Sequence, residues 1–223
     1  VESYFAIKTG QLPVLSQQQI TSCDTTNNGC DGGYYTDAWN YVSGSTGLNE
    51  EWVYPFTDFF CDPPLSESCT SSCKNISSMF TKQFKWWPKA NTSGSGISVT
   101  PNDATAMMDA LALQGPIALS VGSDPWADYE SGILQNNYSN NASWTAINHA
   151  VQLVGYGYDF DVNMNYWVVR NSWGTNYGEN GFIRLARPDV EPCANGVCGT
   201  SGMLCDGAYP GVSELKKKND FYF

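Results

Sequence analysis

The pattern of apolar residues changes near residue 100, and this change limits the possible folds more than any other feature of the sequence. The first part contains short segments with helical spacing, namely "VESYFAIKTG", "YYTDAWNYV" and a stretch that Ser16 and Gln19 open as a capping box. Gly10 is placed to cap the first of these helices. The first hundred residues are therefore predicted to form short helices joined by irregular loops.

The second part begins with one helix and continues as strands. After Pro101, "DATAMMDALALQGP" places Ala104, Met107 and Leu111 on one helical face, and Gly115 with Pro116 ends the helix. The segments "IALSVG", "HAVQLVGYG", "YWVVRNSW" and "GFIRLAR" are apolar, β-branched or aromatic and are separated by turn residues, which predicts antiparallel strands. We therefore expect an α+β protein, with a helical, disulfide-linked domain at 1–101 and a β-rich domain at 102–223.

The charge of the chain argues against two classes of partner. Eleven basic and twenty-two acidic residues give a net charge of −11 over 223 residues. Such a chain has no general attraction for nucleic acid phosphates or anionic membranes. No run of eighteen apolar residues occurs, so no membrane-spanning segment is predicted. We expect neither nucleic acid nor membrane as a partner.

The cysteines favour disulfides over a metal site. The chain has eight cysteines and one histidine, and no two cysteines have the Cys-x-x-Cys spacing of a zinc site. Their loop positions predict disulfides and an oxidising compartment. Asn-x-Ser/Thr glycosylation sequons agree with secretion and occur at Asn75, Asn91, Asn137 and Asn141. The Gly-x-Gly segments lack the third glycine of a dinucleotide loop, so no nucleotide cofactor is expected. Together with the cysteine spacing, this predicts neither a metal nor a cofactor.

The single histidine is the residue that points most clearly to chemistry. His149 begins an apolar strand, and Val151 and Leu153 are expected to anchor that strand in a core, so the imidazole is held on a rigid backbone. Asn171 follows another strand and could accept the N–H of the ring, and Trp173 could shield that bond from water. A buried structural histidine is the alternative interpretation. A neutral orienting residue suits a histidine paired with a thiol, because the two can exist as thiolate and imidazolium.

Four motifs together carry a family resemblance. "GCDGGY", "VYPF", "NHAVQLVGYG" and "YWVVRNSWGTNYGENGFIRL" resemble the papain/cathepsin family of cysteine proteases, in matching order from Val1 to about Pro210. The resemblance implies a papain-like two-domain fold. It has a helical left domain and an antiparallel β-barrel right domain, with the active-site cleft between them.

The resemblance also implies roles for individual residues. His149 would be base and acid, Asn171 would orient it, and Trp173 would shield the pair. Gly32 and Gly33 would offer backbone hydrogen bonds to an extended peptide. Further residues on the substrate side would be Tyr34, Tyr35, Asn148, Ala150 and Met203, with an apolar preference. For Tyr35 and Met203, packing in a core is the alternative.

The nucleophile of the family is not found in this sequence. It lies in a Cys-Gly-Ser-Cys-Trp motif, roughly 130–150 residues before the His and Asn. Cys23 has about that separation, but it lacks the helix N-terminus that a thiolate needs. The resemblance places the nucleophile about nine residues before Val1, with the oxyanion-hole glutamine earlier still. A two-chain enzyme or a fragment is therefore expected.

The resemblance extends to the disulfides. It implies a bond between Cys23 and Cys61, and it pairs Cys30 with the first cysteine of the absent motif. Cys69 and Cys73 are paired as a local hypothesis. The partners of Cys193, Cys198 and Cys205 stay open. A disulfide-linked N-terminal segment or second chain is thus an expected partner.

The predicted function is that of a cysteine endopeptidase. It would cleave a peptide or protein substrate through a thiolate and an acyl-enzyme, in a lysosomal, vacuolar or secreted location. Two alternatives stay open. The chain could be an inactive homologue that serves as a binding or structural protein, or a homologue with serine in place of the nucleophile.

Overall fold

The computed structural model describes residues 1–44, 48–56, 96–135, 147–189, 193–194 and 197–211. The chain divides into two compact units. The first comprises Val1–Ile97 together with the chain from Pro210 onward, and the second comprises Ser98–Tyr209. These limits differ from 1–101 and 102–223 because the chain after Tyr209 is grouped with the first unit, so the sequence-based limits stay a prediction.

Three helices form the described part of the first unit. They are α1 (Glu2–Thr9), α2 (Gln17–Cys23) and α3 (Tyr35–Gly44). Helix α1 ends at Gly10, whose φ of 77° is the left-handed conformation that glycine adopts at low cost. Leu15, Val42 and Leu48 form a small buried cluster beside these helices. The predicted helical character of this part is confirmed.

The polar side chains at the start of helix α2 bond partly within the helix and partly to a distant segment. Ser16 caps the helix, and its hydroxyl accepts from the backbone N–H of Gln19 at 3.0 Å. The side chain of Gln19 does not complete the capping box. Its Oε1 instead accepts from the backbone N–H of Asn49 at 2.7 Å, which ties α2 to the chain after α3.

The second unit contains one helix and most of the strands. Helix α4 (Ala104–Gln114) is capped at its N-terminus by Asp103, whose side chain accepts from the backbone N–H of Ala106. The strands among the described residues are β1 (Gly96–Ser98), β2 (Ile117–Val121), β3 (Ile133–Leu134), β4 (His149–Asp159), β5 (Met164–Arg170), β6 (Phe182–Ala186), β7 (Cys193–Ala194), β8 (Val197–Cys198) and β9 (Gly207–Pro210).

Seven of these strands form one sheet in the order β1-β9-β2-β4-β5-β6-β3. The pairs β2–β4, β4–β5 and β5–β6 are antiparallel, as the sequence predicts, whereas β3 pairs with β6 in parallel. Strands β7 and β8 form a separate hairpin. Alternation along the strands directs one set of side chains into a core with α4. Its fully buried members include Met107, Ile117, Leu119, Trp126, Leu153, Trp167, Ile183, Leu185 and Met203.

The β4–β5 hairpin places two predicted site residues at the same end of the sheet. His149 is the first residue of β4 and pairs with Val121 of β2. Gln152 pairs with Arg170 at the end of β5, so Asn171 emerges near the start of β4. The backbone N–H of Asn171 donates to the carbonyl oxygen of Gly181 at 2.9 Å. The hydrogen-bonded register thus fixes the separation of the two backbones.

Some predictions fall outside the described residues. The sequons at Asn75, Asn91, Asn137 and Asn141 and the cysteines Cys61, Cys69 and Cys73 are among them. Within the residues that the structure does describe, no helix has both the length and the apolar character that crossing a bilayer requires.

Candidate active site

His149 and Asn171 meet in a direct hydrogen bond. Nε2 of His149 lies 2.8 Å from Oδ1 of Asn171. Asn171 is buried and His149 is half-buried, so the imidazole is held from one side. The two residues that the sequence places at the centre of the site are therefore brought together.

The orientation of the Asn171 amide fixes the tautomer of His149. The backbone N–H of Ser172 donates to Oδ1 of Asn171 at 2.8 Å, so the oxygen and not the amide nitrogen lies on this side. Nε2 of His149 must then carry the hydrogen and donate it to the same oxygen. The lone pair of the neutral ring lies on Nδ1, which is the nitrogen available to accept a proton.

An aromatic cluster surrounds this hydrogen bond. The ring of Trp173 stacks on His149 with 5.2 Å between centroids and 28° between planes. Trp126 meets His149 edge-on at 6.2 Å, and Tyr177 meets Trp173 edge-on at 5.0 Å. Trp173 is 43% exposed, so it separates the imidazole from solvent while its outer face stays accessible. The ring of Trp173 therefore lies where the resemblance places the shield, and its shielding role stays a prediction.

Trp126 is a member of this cluster that sequence reasoning missed. It is fully buried, and its indole N–H donates to the hydroxyl of Ser201 at 3.0 Å. Ser201 has a φ of 57°, in the left-handed region, and sits in a short 3-10 helix (Thr200–Gly202). The segment after β8 thus supports the aromatic wall beside His149. A contact across 75 residues leaves no local pattern by which the sequence could indicate it.

The second set of predicted residues forms a loop in the first unit. Gly32 and Gly33 are exposed, and Gly32 has a φ of 103° that favours glycine. Asn27 holds the loop, since its Oδ1 accepts from the backbone N–H of Tyr34 at 2.7 Å. A Cβ on Gly33 would lie 2.1 Å from that same Oδ1. Gly33 is therefore required by the close approach of Asn27.

Asn27 is fixed in turn by a buried carboxylate. Asp24 caps the end of α2, and its Oδ2 accepts from Nδ2 of Asn27 at 2.7 Å. Its Oδ1 accepts from the backbone N–H of Thr26 at 2.9 Å. Hydrogen bonds from Asp24 through Asn27 to Tyr34 thus hold the loop in place. The asparagines of this turn are the one feature of the sequence that could have indicated these bonds.

The remaining predicted substrate residues differ in accessibility. Tyr34 is 70% exposed, and Ala150 is exposed beside His149. Asn148 is exposed, and its Oδ1 accepts from the hydroxyl and the backbone N–H of Ser123, while its Nδ2 donates to Asp124 at 2.6 Å. Tyr35 begins α3, where its half-buried ring packs against Trp39 at 5.4 Å.

Met203 does not line a surface. It has 0% exposure and belongs to the core of the second unit, with Ile117 and Leu185. A substrate could not reach its thioether without displacing the core. The substrate-binding role expected for Met203 is therefore corrected, and packing in the core is the role that fits its burial.

Three of the described cysteines, Cys23, Cys30 and Cys205, lack the properties of a catalytic thiolate. Cys23 is disulfide-bonded, and it ends a helix and does not begin one. Cys30 is exposed and unbonded, and burial of the thiol and the neighbouring Asp31 raise its pKa. Cys205 is buried. The disulfide expected for Cys30 is not formed within the described chain, because the resemblance pairs it with a cysteine that this sequence does not contain.

A salt-bridge group lies behind the segment that carries Trp173 and Tyr177. The guanidinium of Arg184 binds Glu179 in a bidentate manner and contacts Asp159 at 3.0 Å. Glu179 also accepts from the backbone N–H of Gly132 at 2.9 Å. The hydrogen bond from Arg184 lowers the pKa of Glu179. In the described residues, no group of three or more His, Cys, Asp or Glu side chains could hold a metal ion.

Comparison with known proteins agrees with this geometry. The model of the papain family of cysteine proteases matches residues 1–204. Procathepsin L of Mus musculus is 33% identical over 219 residues, which are 96% of this chain and 56% of that protein. Cathepsin S of Mus musculus is 31% identical over 199 residues, which are 86% of this chain and 51% of that protein. The chain thus spans about half the length of these curated relatives.

A solved structure gives the same result for the fold. The bromelain protease from Ananas comosus, in complex with the E64 inhibitor, superposes with a TM-score of 0.71 at 28% identity. The match covers 96% of this chain and 85% of that one. The papain-like α+β fold expected from the sequence is thereby confirmed. The chain belongs to the papain family of cysteine proteases.

Proposed function

We propose that this chain supplies the base, the orienting residue and the substrate loop of a cysteine endopeptidase. The observation that carries the proposal is the 2.8 Å hydrogen bond between His149 Nε2 and Asn171 Oδ1, covered by the stacked ring of Trp173. A histidine with its Nε2–H fixed and its Nδ1 lone pair available is prepared to take a proton from a thiol. Membership in the papain family supports the same assignment.

The proposed reaction proceeds in two halves. Nδ1 of His149 takes the proton of the thiol, and the thiolate attacks the carbonyl carbon of the scissile peptide bond. The imidazolium then gives this proton to the departing amine, which leaves an acyl-enzyme. Water attacks the thioester as His149 takes a proton from it, and the returned proton restores the thiol as the acid product leaves. Asn171 keeps the ring in one tautomer through both halves.

The nucleophile is proposed to lie on a segment that precedes Val1. The disulfide of Cys23, the raised pKa of Cys30 and the burial of Cys205 each disfavour those three as nucleophiles. The family resemblance places the cysteine of the motif upstream of Val1 and the oxyanion-hole glutamine earlier still. We further propose that Cys30 pairs with the other cysteine of that motif, which would link the segment covalently to this chain.

The substrate is proposed to be a peptide or protein in an extended conformation. Gly32 and Gly33 are exposed, and the carbonyl of Gly32 accepts from the backbone N–H of Asn28 at 2.9 Å. Gly33 is therefore the residue proposed to pair its backbone N–H and C=O with such a chain as an added strand. The exposed ring of Tyr34 beside them offers apolar area, which favours an apolar substrate side chain. A disulfide at Cys23 and the four sequons support a lysosomal, vacuolar or secreted location.

Labelling by a thiol-directed epoxide tests the proposal. The complete natural protein is incubated with the epoxide and its intact mass is measured with and without reduction. We expect one label, which peptide mapping after reduction places on the segment that precedes Val1. His149→Gln should abolish labelling, because the thiol then loses its base. Asp161→Asn, in the exposed turn between β4 and β5, is the control and should label like the wild type.

Two results would contradict the proposal. Equal labelling of His149→Gln and the wild type would mean that His149 does not activate the thiol. Absence of labelling, with Ser, Gly or Ala found at the position of the nucleophile, would instead support a homologue that binds without cleaving or uses serine.

A further inference from the structure

Two buried polar atoms beside the His149–Asn171 pair lack a hydrogen-bond partner. They are Nδ2 of Asn171 and the hydroxyl oxygen of Tyr177. A buried polar atom without a partner costs free energy, so two such atoms in one place require an explanation. The carboxamide of Asn171 directs its oxygen to His149 and to Ser172, which leaves Nδ2 on the opposite side.

The backbone keeps Tyr177 close to Asn171. The backbone N–H of Asn171 donates to the carbonyl of Gly181 at 2.9 Å, and the N–H of Gly181 donates to the carbonyl of Tyr177 at 2.7 Å. The ring of Tyr177 is further fixed between Trp173 at 5.0 Å and Tyr129 at 6.1 Å between centroids. Gly181 thus bridges the two residues, and aromatic contacts on two sides hold the phenol in place.

We propose that Tyr177 is a positioning residue, whose phenol oxygen accepts a hydrogen bond from Nδ2 of Asn171 and so keeps Oδ1 of Asn171 facing His149. The direction of this bond is fixed by chemistry, because an amide nitrogen donates and has no lone pair to accept with. The inference rests on the function proposed above, in which the Nε2–H tautomer of His149 is the productive one.

The acid–base behaviour of Tyr177 agrees with this geometry. Burial raises the pKa of Tyr177 to about 12, and the nearby side chain of Asn171 opposes that rise. The phenol is therefore neutral across the physiological range, and it stays an acceptor without placing a negative charge next to the aromatic cluster.

The consequence for catalysis follows from the alternative rotamer of the amide. Rotation of the Asn171 carboxamide by half a turn would place Nδ2 against the ring nitrogen and would favour the tautomer with hydrogen on Nδ1. That tautomer cannot take the proton of a thiol through Nδ1. Ser172 opposes the rotation from one side of the amide, and Tyr177 opposes it from the other.

Tyr177→Phe tests the proposal, because it removes the acceptor and keeps the ring. We expect kcat to fall about three- to tenfold with KM unchanged, the effect of losing one buried hydrogen bond. Tyr129→Phe is the matched control. Its hydroxyl belongs to the same aromatic cluster but donates to the carbonyl of Gly132 and accepts from the backbone N–H of Arg184. This control should change stability without changing kcat.

A second readout requires no catalysis. Nitrogen-15 NMR of the histidine side chain reports the tautomer directly, and His149 is the only histidine in these 223 residues. The spectra are recorded on the complete protein with its thiol blocked by the epoxide, and the His149 signals are those that disappear in His149→Gln. Tyr177→Phe should lower the fraction of the Nε2–H tautomer, and Tyr129→Phe should not.

The outcomes separate this inference from the proposed function. If Tyr177 acts through Asn171, Tyr177→Phe has no further effect on the tautomer in an Asn171→Ala background. A wild-type tautomer fraction and wild-type kcat in Tyr177→Phe, or an equal effect of Tyr129→Phe, would overturn the inference. Failure of the epoxide to label the wild type would overturn the proposed function alone, since the spectra of the unblocked protein still report the tautomer.

Discussion

At the scale of single residues, Gly33 has no room for a side chain. A methyl group there would lie 2.1 Å from Oδ1 of Asn27, so Gly33→Ala must displace the side chain that accepts from the backbone N–H of Tyr34. Because the loop is the proposed substrate strand, we expect KM for a peptide substrate to rise roughly tenfold, about 1.4 kcal/mol of binding, with a smaller change in kcat. Steady-state kinetics measure the two constants separately.

Gly44→Ala is the matched control for this substitution. Gly44 ends α3, and nothing lies within 4 Å of an added Cβ. The variant should keep the KM of the wild type and melt at the same temperature or slightly above it, since alanine favours the helix. Equal KM values for Gly33→Ala and Gly44→Ala would rule out a role for the Asn27 contact in substrate binding.

Ser201 supplies a second residue-scale prediction, this time of stability. Ser201→Ala leaves the indole N–H of the fully buried Trp126 without its acceptor. The free energy of unfolding should fall by about 1–3 kcal/mol, measured by urea denaturation. Ser131→Ala, at an exposed serine, is the control and should change it little. A Ser201→Ala variant as stable as this control would mean that Trp126 finds another acceptor.

The sequence could predict the positions of residues that local spacing determines. His149 and Asn171 each border an apolar strand, and Trp173 follows two residues later. The pairing of two antiparallel strands is therefore enough to predict that the three residues lie near one end of the sheet. Trp126 and Asn27 act through contacts that only the folded chain creates. For Met203 the sequence left substrate binding and core packing open, because an apolar side chain near a substrate loop and one in a core have the same local pattern.

At the scale of elements, the Arg184 group ties β6 to the end of β4 and to the turn before β6. Arg184 binds Glu179 and Asp159, and the hydrogen bond from Arg184 lowers the pKa of Glu179 below its ordinary value of 4.5. A carboxyl whose pKa is lower in the folded state than in the unfolded state contributes its full stabilisation when the pH is above the unfolded-state pKa. This contribution is lost as the pH falls from 4.5 through the lowered value.

The variant Glu179→Gln tests this pH dependence. The substitution removes the titrating carboxyl, and the variant should be less stable than the wild type at neutral pH by about 1 kcal/mol or less, given the partial exposure of the pair. The difference in melting temperature should narrow as the pH falls below 4.5 and through the lowered pKa of Glu179. A difference that stayed constant across this range would exclude the titration of Glu179 as its source.

The β7–β8 hairpin makes a prediction about the cysteines whose partners the sequence left open. Cys193 and Cys198 are direct register partners, and Ala194 and Val197 form the pair next to a two-residue connection. In such a hairpin the second pair from the loop is not hydrogen-bonded, and its Cα atoms lie about 4.5 Å apart, within the range for a disulfide. We expect peptide mapping without reduction to find Cys193 bonded to Cys198. Recovery of either as a free thiol would contradict this.

The longer elements were predictable because period and caps agree. Gly115 ends α4 as the sequence indicates, and the four long strands β2, β4, β5 and β6 pair in antiparallel fashion as predicted. The short strand Ile133–Leu134 and its parallel pairing with β6 were not predicted. Two residues carry no detectable period, and their pairing depends on where the rest of the sheet already lies.

At the scale of the whole molecule, the two units differ in how their described parts are held together. The second unit has a large continuous core that joins α4 to the sheet. The described part of the first unit has a smaller buried cluster of Leu15, Val42 and Leu48, together with the disulfide-bonded Cys23 at the end of α2. A unit with less apolar burial depends more on covalent links and on buried polar bonds such as that between Gln19 and Asn49.

Reduction should therefore loosen the first unit before the second. A disulfide of this kind contributes about 2–4 kcal/mol, so its loss should speed amide exchange in α2 and α3 by roughly 30- to 1,000-fold. Amides of β4 and β5 lie in the core sheet and should keep their protection. Hydrogen exchange with mass spectrometry, on the complete protein before and after mild reduction and alkylation, measures both regions in one experiment. Equal acceleration in β4 and α2 would mean that reduction does not loosen the first unit in preference to the second.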